Sequence, residues 1–154
     1  IDNLELNEKD IVLEVGTGSG WQTVLLAFFS AKVISLEVDN DILNLAINNV
    51  NNFLKSNLIL DLSNKIEFHN LNIFKSKEFI ESLSKLDKVV FSAAIKNVPY
   101  FLFQKLSYNG IIIAPIYKPN VNEYQKLMKY IKLSDNSIKE EFISYVSFVL
   151  AKED

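Results

Sequence analysis

The sequence predicts a doubly wound α/β domain with a mainly parallel sheet and an antiparallel hairpin near its C-terminal end. Three observations carry this. Short β-branched apolar runs alternate with stretches of helical periodicity. A glycine cluster joins the first such run to the first helix. After Pro119 the pattern changes to two long strand-like stretches around a polar turn. Strands separated by helices imply right-handed crossovers and parallel pairing, whereas two strands around a tight turn pair antiparallel.

Ile11–Val15 reads as a buried strand and Trp21–Phe29 as the helix after it. Val33–Glu37 is the second strand, ended by Asp39 and Asn40. From Asp39 to Lys55, Ile42, Leu43, Ala46, Ile47, Val50, Phe53 and Leu54 recur at helical spacing, with Asp39 or Asn40 placed to cap the N-terminus. Lys65–His69 is a third strand, followed by a helical stretch over Glu78–Leu86. Asp87–Ser92 forms a fourth strand, Pro99–Leu106 a helix, and Asn109-Gly110 turns into a fifth strand at Ile111–Pro115. Tyr124–Leu133 and Ile138–Leu150 are the hairpin strands around Ser134-Asp135-Asn136-Ser137. No linker, repeat or low-complexity tract divides the chain, so residues 1–154 read as one domain.

Composition narrows the function classes. An apolar fraction of 49% with 23% charged residues suits a globular domain of 154 residues. No apolar run approaches the roughly 20 residues that span a bilayer, and no signal-peptide pattern stands at the front, so the expected setting is cytoplasmic with no membrane partner. The net charge is −3 and all 16 basic residues are lysine. A duplex-binding surface needs a basic excess and favours the arginine fork, so nucleic acid is not the expected partner. With no cysteine and a single histidine, His69, no metal site is expected. Phe28, Phe29 and Phe53 read as core, Trp21 as packing at a helix start, and Lys126, Lys129, Lys132 and Lys139 as a solvated edge.

The informative segment is Gly16-Thr17-Gly18-Ser19-Gly20, which holds three of the chain's four glycines. Glycines at such a strand-to-helix turn let backbone pass close to a ligand, and ligands of doubly wound folds bind at the carboxyl ends of the strands. The spacing is G-x-G-x-G. The dinucleotide fingerprint is G-x-G-x-x-G, and Trp21 stands where its third glycine would be. Glu14, two residues before the first glycine, disfavours a pyrophosphate and suits a ligand with a cationic end. S-adenosyl-L-methionine, with an ammonium and a sulfonium, is such a ligand. Glu37 ends the second strand seventeen residues past Gly20, where a carboxylate can accept from both ribose hydroxyls. Val38 follows it. Asn72, with Ile73 after it, stands just past the third strand, where an amide can meet an adenine edge.

Val12-Leu13-Glu14-Val15-Gly16-Thr17-Gly18-Ser19-Gly20-Trp21-Gln22 resembles the first motif of the protein-L-isoaspartate O-methyltransferase family. Asp87-Lys88-Val89-Val90-Phe91-Ser92-Ala93-Ala94 with Val98-Pro99 is similar to that family's fourth-strand signature. Leu102, Gln104, Lys105, Leu106, Asn109, Gly110 and Ile113-Ala114-Pro115 resemble its next helix and strand, and Val146-Ser147-Phe148-Val149-Leu150 its closing strand. The resemblance implies a Rossmann-like methyltransferase sheet and methyl transfer from S-adenosyl-L-methionine to the carboxylate of isoaspartyl residues in damaged proteins. It further implies that Gly16, Thr17, Gly18, Ser19 and Gly20 line the methionine end and that Glu37 holds the ribose. Asn72 stands where family members usually carry Asp, and Ile73 where Gly often follows. In the family a recognition segment with a functional serine precedes the first strand. Only Ile1–Asp10 precede it here, so the chain reads as a trimmed cofactor domain, and no catalytic residue is assigned. Two rival readings stand beside this one: a cofactor-binding module without catalysis, and a nucleic-acid methyltransferase. Against the latter, Ser92-Ala93-Ala94-Ile95 supplies no Asn-Pro-Pro-aromatic or Asp-Pro-Pro-aromatic motif to grip a flipped base.

Overall fold

The computed structural model describes residues 1–56, 62–119 and 124–153. Strands β1 (Ile11–Val15), β2 (Lys32–Glu37), β3 (Ile66–Asn70), β4 (Lys88–Phe91), β5 (Ile111–Ile116), β6 (Gln125–Lys132) and β7 (Ile138–Val146) form one sheet in the order β3-β2-β1-β4-β5-β6-β7. The first five in that order are parallel, and β6 and β7 are antiparallel. Helices α1 (Trp21–Phe29), α2 (Asn40–Ser56), α3 (Lys77–Ser82) and α4 (Tyr100–Lys105) connect them. The doubly wound sheet and its C-terminal hairpin are as the sequence predicts. The third helix is shorter than expected, because Leu83 is extended and closes it with an N–H bond to Ile80.

Side chains alternate across each strand, so the strands feed two apolar layers. Leu13, Val15, Ile34, Leu36, Val89, Phe91 and Ile112 join Ile80, Leu102 and Leu106 on one face. Val12, Val33, Val90, Ile111 and Ile113 join Val24, Leu26 and Ala27 of α1 and Val50 of α2 on the other. Because the crossovers lie on opposite faces of the sheet, the loops after β1 and β4 diverge at the carboxyl edge and leave a crevice between them.

Two packing expectations are corrected, those for Phe28 and Phe29 and for Lys129 and Lys132. Phe28 and Phe29 are 38% and 54% exposed. Helix α1 lays only Thr23, Val24, Leu26 and Ala27 inward, and the two phenylalanines of its last turn pack on each other. Phe53 is half-buried and takes the Trp21 ring edge-on at 6.2 Å. Lys129 and Lys132 are not a solvated edge: both are buried. Lys129 pairs with Glu5. Lys132 Nζ donates to the carbonyls of Gln104 and Leu106 at 3.1 and 2.8 Å, closing the C-terminal end of α4. A cation there also favours the helix dipole. Lys132→Met keeps the aliphatic stem but strands those carbonyls. Urea unfolding is expected to show a loss of about 1–3 kcal/mol, and an unmoved midpoint would mean that water replaces the ammonium.

The last expected strand also ends early. At Phe148 the side-chain amide of Gln125 takes over from the backbone ladder, donating to the Phe148 carbonyl at 2.8 Å and accepting from its N–H at 2.6 Å. The chain then turns back to the carboxyl end of β4, where Ala94 N–H donates to Val149 O and Ala151 N–H donates to Ala94 O, each at 2.8 Å. Leu150 is therefore parallel to Ala94 and is no part of the hairpin.

Candidate functional site

A cavity of about 360 Å³ opens along the carboxyl edge of β3, β2, β1 and β4. Gly16 and Gly18 form its floor, Glu37 and Val38 one wall, Asn72 and Ile73 the far end, and Ser92 and Ala93 the opposite end. The tail residues Val149–Lys152 line it as well. Its volume lies within the range of small-molecule sites.

Gly16 passes close against β4: a Cβ on it would sit 3.3 Å from Ser92 Cβ. Its N–H donates to Leu36 O at 2.8 Å, which fastens the loop to β2. Glu37 shapes the loop as well as facing the cavity. One carboxylate oxygen accepts from Gly18 N–H at 3.3 Å and the other from Asp39 N–H at 3.1 Å. Each oxygen keeps a lone pair for a ligand hydroxyl.

Glu14 is not on the cavity wall. The two-residue period of β1 turns it with Val12 toward α1, where it is fully buried. One oxygen accepts from Thr23 Oγ1 at 2.5 Å and Ser35 Oγ at 2.7 Å, and the other accepts from Gln22 Nε2 at 3.0 Å. Burial pushes its pKa up to about 7; the three hydrogen bonds hold it back, and the Glu37 carboxylate adds to the rise. It touches the cavity only through Gln22, whose amide also donates to Ser92 Oγ at 2.8 Å.

Neither of the loop's hydroxyl-bearing residues lines the cavity. Thr17 is buried, with its Oγ1 2.7 Å from Ser35 Oγ. Ser35 gives its proton to Glu14, so Thr17 is the donor of that pair. Ser19 and Gly20 line a separate shallow pocket with Trp21, Asn49, Val50 and Phe53, and Ser19 O accepts from Asn49 Nδ2 at 3.0 Å. The cavity meets this loop at Gly16 and Gly18, and Thr17, Ser19 and Gly20 are not among its lining residues.

Asn72 lines the cavity with its side chain already engaged. Its Oδ1 accepts from Phe74 N–H and its Nδ2 donates to Lys152 O, each at 3.0 Å. The sequence marks the region from Ser92 to Pro99 only for specificity, whereas Ser92 and Ala93 line this cavity, for which the position of β4 beside β1 was an available signal. Sequence reasoning missed Asp39, Ile42, Leu71 and Phe74, and the tail Val149–Lys152, whose partners lie far away in sequence.

This strand order, crevice and glycine turn define an α/β protein of the Rossmann-like methyltransferase class. A family model described as protein-L-isoaspartate(D-aspartate) O-methyltransferase matches residues 1–154. The chain belongs to that family. It is 34% identical over 146 residues to protein-L-isoaspartate O-methyltransferase of Petrotoga mobilis, covering 95% of this chain and 62% of that protein. It is 32% identical over 154 residues to the Methanococcus vannielii enzyme of the same name, covering 96% and 65%. The chain therefore spans a little under two thirds of these relatives' length. A Plasmodium falciparum structure described as a protein-L-isoaspartate O-methyltransferase in complex with S-adenosyl-L-homocysteine superposes with a TM-score of 0.79 at 25% identity, over 99% of this chain and 69% of that one. No helix among the described residues is long and apolar enough to cross a membrane.

Proposed function

We propose that this chain, acting as one cofactor-binding domain, holds S-adenosyl-L-methionine for methyl transfer to the carboxylate of L-isoaspartyl residues in proteins or peptides. The observation that carries the reading is Glu37, a carboxylate on the cavity wall directly beside the glycine floor, in a chain matched over its full span by the isoaspartate methyltransferase family. The cofactor would supply a methyl group on a sulfonium sulfur. The donor set fits it. Glu37 can accept from ribose hydroxyls, and Val38, Ile42, Leu71 and Phe74 offer an apolar berth for a purine next to Asn72.

The chain's own contribution to such a reaction is placement. An acceptor carboxylate is ionised at neutral pH and needs no general base. Rate then comes from aligning the reacting atoms and excluding water. Val149–Ala151, held on β4 by the Ala94 ladder, line the cavity and would serve the second need. Glu14, spent on Thr23, Ser35 and Gln22, braces the loop from behind. The same reading carries a cytoplasmic setting, in keeping with a chain without cysteine.

Calorimetry with S-adenosyl-L-homocysteine, followed by labelled methyl transfer to an isoaspartyl peptide and its aspartyl twin, tests the proposal. Binding is expected, with transfer to the isoaspartyl peptide alone, and absence of binding would sink the cofactor reading. Glu37→Ala is expected to weaken S-adenosyl-L-homocysteine by about 1.5–3 kcal/mol through loss of charge-assisted hydrogen bonds. Unchanged affinity in a folded variant would mean that the ribose lies elsewhere.

A further inference from the structure

Resting on the cofactor reading above, we propose that Ser92 anchors the amino-acid end of the cofactor, its hydroxyl donating to the carboxylate of that end. Strand order sets where that end falls. The cavity runs across the carboxyl ends of β3, β2, β1 and β4, which carry Asn72, Glu37, the glycine floor and Ser92 in that sequence. Neighbouring strands lie about 4.8 Å apart, so an extended ligand with its ribose on Glu37 and its base toward β3 reaches β4 with its other end.

That end is the zwitterionic one, and the cavity is built unequally to match. Toward β3 the wall is largely apolar. Toward β4, Ser92 stands against the glycine floor, its Cβ 3.3 Å from where a Cβ on Gly16 would lie. Of the loop residues that carry hydroxyls, Thr17 is committed to Ser35, and Ser19 lines the separate shallow pocket rather than this one.

Ser92 is also held ready. Gln22 Nε2 donates to its Oγ at 2.8 Å, and Gln22 is itself fixed by Glu14 at 3.0 Å. With that lone pair occupied, the Ser92 hydroxyl hydrogen has no acceptor among the described residues. A donated hydrogen bond polarises the hydroxyl and strengthens the one it makes in turn. A hydroxyl that only braced Gln22 would accept the same bond, so the two roles must be separated by a ligand that tests the carboxylate alone.

The probes are S-adenosyl-L-homocysteine and its decarboxylated analogue, titrated calorimetrically into the native chain and into S92A and S92G, with thermal unfolding as the control for fold. The native chain is expected to prefer S-adenosyl-L-homocysteine by about tenfold or more. S92A and S92G should lose about tenfold for that ligand and leave the analogue within twofold, erasing the preference. Where the analogue binds too weakly to titrate directly, its affinity is read by competition against S-adenosyl-L-homocysteine. A native chain without the preference, a preference that survives in S92A, or an equal loss for both ligands overturns the proposal. A native chain that binds neither ligand instead fails the cofactor reading itself.

Discussion

Glu14→Gln is expected to become more stable relative to the native protein as pH rises, by roughly 2–3 kcal/mol between pH 5 and pH 8. Glu14 is fully buried on β1, and lost hydration pushes its pKa up to about 7 against the hydrogen bonds from Thr23, Ser35 and Gln22. In the unfolded chain it titrates as an ordinary glutamate, near 4.5. Between those values the folded protein holds a proton that the unfolded chain has released. Unfolding then releases a proton, so native stability falls as pH climbs from about 4.5 to about 7 and levels off above. Glutamine keeps the shape, carries no titrating proton, and can still accept from Gln22 while the Thr23 and Ser35 hydroxyls turn to take its amide. Glu5, Asp39 and Glu67, whose partners hold their carboxyls below the ordinary range, act with the opposite sign at lower pH. They are common to both proteins and cancel in the difference. Urea unfolding at pH 5, 6, 7 and 8 measures it. Parallel stability curves would mean that Glu14 titrates alike in the folded and unfolded chains.

Glu14 also shows where the sequence stops being legible. β1 is buried on both faces, so its residues are apolar without alternation, and nothing local says which face a polar one takes. A carboxylate two residues before a glycine loop looks like a ligand group from the sequence, and only the packing of α1 reveals it as a brace. Glu37 was readable because it ends its strand, where the side chain emerges at the carboxyl edge whichever face it leaves from. The strand–loop–helix order was readable for a similar reason: periodicity and glycine placement are local properties. The tail was not. Phe148-Val149-Leu150 has the same extended pattern whether it prolongs a hairpin or returns to β4, and the deciding partners, Gln125 and Ala94, are remote in sequence. Lys129 and Lys132 look solvated for the same reason, since Glu5 pairs with the first and the carbonyls at the end of α4 accept from the second from other parts of the chain.

Gly20→Ala is expected to lower stability by about 2–5 kcal/mol, shifting the thermal midpoint down by roughly 5–15 °C for a domain of this size. Gly20 precedes α1 with φ of 84°, where an L side chain is strained by roughly 1–2 kcal/mol. A Cβ there would also lie 2.7 Å from Val50 Cγ2 and 3.1 Å from Ala46 O. Neither neighbour can withdraw cheaply. Ala46 O is helix backbone, and a β-branched side chain within a helix has little rotamer freedom. Overpacking of this kind adds about 1–3 kcal/mol. Gly18→Ala supplies the contrast, because Gly18 has φ of 56° but nothing within 4 Å of its Cβ position. It should lose only the strain, about 1–2 kcal/mol, while placing a methyl group on the cavity floor. Equal midpoint losses in the two variants would show that α2 gives way and that backbone strain alone matters. The expected split, stability lost at Gly20 and S-adenosyl-L-homocysteine affinity lost at Gly18, assigns the loop two separate tasks. Its last glycine lets α1 dock on α2, and its middle one keeps open the floor on which Glu37 and Ser92 face each other.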